Sequence, residues 1–197
     1  MDFIGYRSDA LGAAVDLVNA VIEDPEGRVP DQLRGVLVAH AYHAMDAPDS
    51  IEPALRAWAR RLRTAFEVST VEEAAAAINA LLVDVSVEPH LTCHDDTEGW
   101  HLHYAAPEAG LVDRMRATTA FALAMLVSEY GISRHGRCAA DGCAKVFADS
   151  SRNAARRYCS AACANRSAVA AHRARARARA AGAAPGEARR TAQPSAR

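Results

Sequence analysis

The sequence predicts a mainly α-helical N-terminal body with one β-hairpin, followed by a small C-terminal module pinned by cysteines. Three observations lead there. Apolar residues recur at helical spacing in several segments of the first 130 residues, and one stretch between them alternates with period two. Four of the five cysteines then crowd into one short C-terminal stretch. The chain of 197 residues is long enough for one hydrophobic core and a minor unit beside it.

The elements follow in order. Leu11, Val15, Val18 and Ile22 mark a helix over 9–23, which Pro25 and Gly27 interrupt. Pro30-Asp31 opens a second helix running toward Met45. Ser50 precedes a third stripe of Ile51, Leu55, Trp58, Leu62 and Phe66. Thr70 with Glu73 is a capping-box signature for the helix TVEEAAAAINALL. VDVSVEPHLTC alternates, HDDTEG is a polar turn and WHLHYA alternates again, which predicts the hairpin. Pro107 closes it, and LVDRMRATTAFALAMLVSEYG predicts a long apolar helix stopped by Gly131. These stripes read as core rather than as a cofactor box. The body is expected over 1–130, a linker over 131–137, the cysteine module with a basic helix over 138–181, and a disordered basic tail over 182–197, where Gly and Pro return.

Cys138, Cys143, Cys159 and Cys163 are spaced C-x4-C, fifteen residues, C-x3-C. Two close pairs of this kind let four thiolates converge on one tetrahedral Zn2+. Asp141-Gly142 is a turn signal inside the first pair, and glycine permits the positive φ such a knuckle needs. The segment between the pairs has room for a small hairpin, Phe147 and Tyr158 can supply a minimal core, and Ser160 can cap a helix carrying Cys163 in its first turn. The layout expected is a treble-clef-like zinc module with four cysteine ligands, whose folding energy comes from the metal. Two disulfides are the competing account, and they require an oxidising compartment. The opening MDFIGYRSDALGAAVDLVNAV has no basic leader ahead of an apolar core, and the longest apolar run is too short to span a bilayer. A reducing cytoplasm is therefore expected. Cys93 stands apart and is expected to be a small buried residue.

The formal charge of −1 hides a division. Residues 1–133 hold 9 Lys/Arg against 21 Asp/Glu, a net of −12, and residues 134–197 hold 14 against 3, a net of +11. A basic module on an acidic body points to a polyanionic partner, DNA foremost. Arg152, Asn153, Arg156 and Arg157 lie between the cysteine pairs, and Asn165, Arg166, Arg173 and Arg177 follow Cys163. These eight are the expected DNA-contacting residues. Ala and Arg favour helix, so the RARARARA repeat reads as a helix extension, with Arg175 and Arg179 on a second side.

RCAADGCAKVFADSSRNAARRYCSAACANRSAVAAHRARAR resembles the CGNR zinc finger, which is usually joined to an N-terminal ABATE-type helical domain in bacterial transcription regulators. The matching positions are Cys138, Cys143, Phe147, Asp149, Ser151, Arg152, the RRYC stretch ending at Cys159, and Cys163, Asn165 and Arg166. Ala164 stands where the family name has glycine. VDLVN and INALL in the body also fit the ABATE-type pattern. The resemblance implies a zinc-dependent, DNA-linked regulator of the bacterial cytoplasm, associated with the nucleoid.

Histidines offer a second candidate site. His40 and His43 share a helix face with Asp46 one turn on, and His90, His94, His101 and His103 gather at the hairpin. No HExxH spacing, phosphate loop or nucleophile elbow accompanies them, so they are read as structural and no enzyme is expected. Two functions stand. One is a DNA-binding regulator whose acidic body senses a ligand, binds a partner or forms a homodimer. The other is a protein-interaction or small-ligand module in which the zinc finger is only a staple. Neither involves a membrane.

Overall fold

The computed structural model describes residues 4–29, 31–40, 42, 51–93 and 99–182. His43, Asp46, His94 and the tail 183–197 lie outside the described residues. The described chain is mostly helical, with two small antiparallel hairpins.

Helix α1 spans Ile4–Glu23, α2 Gln32–Ala39, α3 Ile51–Phe66, α4 Val71–Val83 and α5 Leu111–Tyr130. Their apolar stripes meet in one core that fully buries Leu17, Leu33, Leu55, Trp58, Leu62, Leu81, Met115 and Leu123. Trp58 is fully buried, and its indole N–H donates to Thr119 Oγ1 at 2.9 Å, so burial leaves that donor paired. Both halves of the expected capping box form: Thr70 Oγ1 accepts the Glu73 N–H, and the Glu73 carboxylate accepts the Thr70 N–H. After α1, Asp24 accepts the N–H groups of Val29 and Arg28, which hold its carboxyl below the ordinary carboxylate range. Arg56 reaches across from α3 to the Asp24 carbonyl at 2.6 Å and closes this corner.

The expected body hairpin forms, but its strands are short. Strand β1 is His90–Thr92 and β2 is His101–His103, with His90 opposite His103, Leu91 opposite Leu102 and Thr92 opposite His101. Pro89 lacks the N–H that would extend the ladder, and only Glu88 adds a bond, to the Tyr104 carbonyl. Cys93 is exposed rather than buried, because it lies beyond the last paired residue of β1.

Residues 131–137, expected as a linker, are part of the structure. Gly131 ends α5 at φ 60°, and Gly131–Arg134 form one 3-10 turn. Strand β3, His135–Arg137, follows and pairs with β4, Val146–Ala148. This second hairpin encloses the first cysteine pair, not the segment between the pairs where a hairpin was expected. It packs on α1 and α3, and Val146 joins the body's own core with no exposed surface. Helix α6, Ala161–Gly182, completes the described chain.

Candidate metal centre and basic helix

The four cysteines predicted from spacing are brought together. Their Sγ atoms all lie within 4.8 Å of one another, and among the described residues no other three Cys, His, Asp or Glu groups converge so closely. The separations are 3.8 Å for Cys143–Cys159, 3.6 Å for Cys159–Cys163 and 3.9 Å for Cys163–Cys143. A tetrahedron with Zn–S bonds of about 2.3 Å has edges of about 3.8 Å. A disulfide would need the sulfurs at about 2.05 Å. The donor set therefore fits a tetrahedral metal of zinc type, and no pair is bridged.

Local structure explains the convergence. Cys138 follows β3 directly, and its N–H donates to the Lys145 carbonyl, which closes the hairpin around the knuckle. The turn Ala140–Cys143 is tied by the Cys143 N–H to the Ala140 carbonyl, with Gly142 at φ 71°. Ser160 caps α6 as expected: its Oγ accepts the Cys163 N–H at 3.2 Å, which sets Cys163 in the first turn. Tyr158 packs with Cys138, Ala140 and Cys163, whereas Phe147 is buried in β4 outside that small cluster.

Donors surround the sulfurs. The Cys159 N–H points at Cys138 Sγ from 3.3 Å, and the Arg166 guanidinium points at Cys163 Sγ from the same distance. Without a metal the thiols ionise unequally. Burial and the neighbouring thiols push Cys159 up to about 12, while the Ser160 hydroxyl and the other thiols bring Cys163 down to about 7. A divalent cation resolves this conflict by taking all four as thiolates.

Asp149 organises the loop between the cysteine pairs. Burial opposes its charge, but Ser151, the Arg156 N–H and Arg134 outweigh that and keep the carboxyl below its ordinary value. The bond from the Ser151 N–H back to Asp149 Oδ1 is an Asx turn, a pattern the run Asp149-Ser150-Ser151 signals in sequence. Arg156 donates to the carbonyls of Tyr158 at 3.1 Å, Cys159 at 2.9 Å and Ala148 at 3.3 Å. Its guanidinium thus braces the loop against β4 and the second cysteine pair. Arg152, Asn153 and Arg157 are exposed on the same loop, and Asn165, Arg166, Arg173 and Arg177 lie along α6.

Helix α6 differs from every other helix in its surroundings. Each residue from Ala168 to Ala180 is exposed, and no acidic side chain occurs in its 22 residues. At 1.5 Å per residue it is about 33 Å long. At 100° per residue, Arg166, Arg173 and Arg177 fall on one stripe within about 40°, and Arg175 and Arg179 lie roughly opposite.

A second set of contacts, absent from the sequence reading, joins this unit to the body. The Asn19 amide of α1 donates to the Val146 carbonyl at 3.1 Å, and its oxygen accepts the Val146 N–H at 2.8 Å. Lys145 pairs with Glu23, whose carboxylate holds the lysine above its ordinary value. His135 is buried edge-on against Phe66, and its Nε2–H donates to the Ala65 carbonyl at 3.0 Å.

The histidines divide. His40 is held between Asp9 at 2.7 Å and Asp16 at 2.9 Å on α1, an arrangement that ties α2 to α1. His101 and His103 meet through their Nε2 atoms at 3.2 Å on β2. No helix among the described residues is long and apolar enough to cross a membrane. No curated protein matches the chain in sequence. Residues 134–176, which run from the 3-10 turn through all four cysteines and into the exposed helix, match the family model of the CGNR zinc finger.

Proposed function

We propose that this protein is a zinc-dependent DNA-binding transcription regulator of the bacterial cytoplasm, working on the nucleoid, with an ABATE-type acidic body as its sensor or partner domain. The observation that carries the reading is α6. An Ala/Arg helix without acidic residues stands clear of the body, and its first turn is fixed by Cys163 and Ser160.

Such a helix is costly to leave unpartnered. Arg173/Arg177 and Arg175/Arg179 are like-charge (i, i+4) pairs, each unfavourable by about 0.2–0.5 kcal/mol. Phosphates on either side of a groove reverse the sign of that term. A helix of about 10–12 Å diameter matches a major groove of about 12 Å width, and two opposed arginine stripes face its two phosphate walls. In this reading Arg152, Arg157, Arg166, Arg173 and Arg177 neutralise phosphates, while Asn153 and Asn165 are placed to read base edges. Arg156 supports the loop that carries Arg152 and Arg157. Zinc supplies the cross-link that orients the helix and takes no chemical part.

The test is binding of the zinc-loaded chain to random-sequence duplex DNA across a salt series. Neutralising about five phosphates predicts a slope of log affinity against log salt of about −4 to −5. Replacing both Arg173 and Arg177 by Ala is expected to reduce that slope by about 2. A salt-insensitive complex, or no complex at low salt, excludes the reading.

A further inference from the structure

The β1–β2 hairpin carries a feature that neither the finger nor its DNA reading uses. The strand register puts His90, Thr92, His101 and His103 on one face, with Leu91 and Leu102 on the other. On that face two imidazoles approach through nitrogen rather than by stacking: His101 Nε2 and His103 Nε2 are 3.2 Å apart, with ring centroids at 5.0 Å. His90 stands edge-on to His103 at 5.7 Å.

The opposite ring nitrogens explain what these edges are set to do. His101 Nδ1 is 3.0 Å from the Gly99 carbonyl, and His90 Nδ1 is 3.2 Å from the Glu88 carbonyl. A carbonyl can only accept, so each Nδ1 carries the proton and each Nε2 presents a lone pair. Fixing the tautomer through a carbonyl on the far nitrogen is how metal-binding histidines are commonly held. Two nitrogens bound to one ion at about 2.1 Å, between right-angle and tetrahedral geometry, are about 3.0–3.4 Å apart, which brackets the observed distance. The surrounding charge agrees. Residues 84–104 contain Asp84, Glu88, Asp95, Asp96 and Glu98 and no Lys or Arg, so the local field attracts cations.

We propose that the β1–β2 hairpin is a second metal site, in which His101 and His103 bind a late first-row divalent ion through Nε2. Imidazole donors without thiolate suit nickel, copper or zinc. The site lies on the acidic body, separate in sequence and in ligand type from the four cysteines. It provides a chemical input to the domain read as a sensor.

The experiment uses tag-free, zinc-loaded full-length protein titrated with Ni2+ by calorimetry, with elemental analysis of the product. One equivalent of nickel is expected while the zinc content stays at one per chain. His101→Asn and His103→Asn, each checked by circular dichroism, are expected to weaken that event about 10-fold or more, and His172→Asn on α6 to leave it unchanged. Nitrogen-15 shifts of the unsubstituted protein give an independent readout: Nε2 of His101 and His103 move on nickel addition, while Nδ1 of His101 keeps its proton. Absence of the nickel equivalent overturns the proposal. So does nickel uptake indifferent to both substitutions, or Nε2 signals that keep the pattern of a plain imidazole–imidazole hydrogen bond.

Discussion

From α1 to α5 the chain removes Leu17, Trp58, Phe66, Met115 and Leu123 from water, whereas between Cys138 and Cys163 the buried side chains are Cys138, Ala140, Val146, Phe147, Asp149 and Cys163. The body therefore folds on apolar area, and the finger has too little of it. Of its larger apolar residues, Val146 belongs to the body's core. The comparison locates the boundary between the two regimes. It does not fall at 131–137 but runs along β4, whose one side faces β3 and whose other side meets α1. Beyond β4 little apolar area is buried, so order there is expected to come from a metal held by the four cysteines and from hydrogen bonds around Asp149.

The sharpest way to break this comparison is to remove the metal. Structural zinc in small modules contributes an apparent stabilisation of about 10–16 kcal/mol at neutral pH. Cys159→Ser or chelation is therefore expected to abolish protection of the knuckle and α6 in hydrogen exchange, while α3 and α5 stay protected. If α6 remained protected without metal, the finger would have a source of order other than zinc. Next in size, Trp58→Ala should cost about 3–5 kcal/mol in denaturant unfolding, since it opens a cavity in the core and removes the indole N–H that Thr119 Oγ1 accepts. Zinc per chain should be unchanged at low denaturant.

A smaller effect probes the seam. Asn19→Ala removes the partners of both the N–H and the C=O of Val146, an expected cost of about 1–3 kcal/mol. Because the seam touches both regimes, the loss should appear in the unfolding of the body and in the rate of zinc release to a chelator. A change in one alone would show that the hairpin belongs to only one of them.

The smallest effects are pH-dependent and opposite in sign. Burial holds His135 below its ordinary 6.5, and its Nδ1 has no partner, so a second proton there finds no acceptor. Its contribution is present above about 6.5, the unfolded value, and is lost as pH falls below it. The Asp16 and Asp9 carboxylates hold His40 above 6.5, so its contribution is complete below that pH and is lost as pH rises through the folded value. Thermal unfolding from about pH 5 to 8 should show His135→Gln flattening the acid limb and His40→Gln flattening the alkaline one. Parallel curves for either variant would remove that histidine from the account.

What was legible in the sequence was whatever depends on local spacing. The apolar stripes gave α1, α3 and α5, Pro30-Asp31 gave the start of α2, Thr70 and Glu73 gave α4 with a cap that forms in both directions, and cysteine spacing gave a donor set that converges. The seam was not legible. Asn19 meets Val146 across 127 residues and binds main chain, which leaves no pattern in side chains. The exposure of Cys93 was missed for a related reason: alternation predicts which face a residue takes, not where pairing stops. Arg156 stands among arginines that look alike on paper, and only the fold shows three carbonyls converging on it. Asp149 was legible in part, through its Asx turn to Ser151, but its grip on the Arg156 N–H was not.

The double hydrogen bond from Asn19 has a further consequence for how the molecule can change. An amide that takes both the N–H and the C=O of one residue binds backbone alone, so this contact by itself does not depend on the side chain at that position. It also covers the outer edge of a two-stranded ribbon, a place where foreign strands would otherwise add. The body thus selects register through Asn19 and side-chain shape through the core that takes Val146, and a ribbon seated there has to satisfy both.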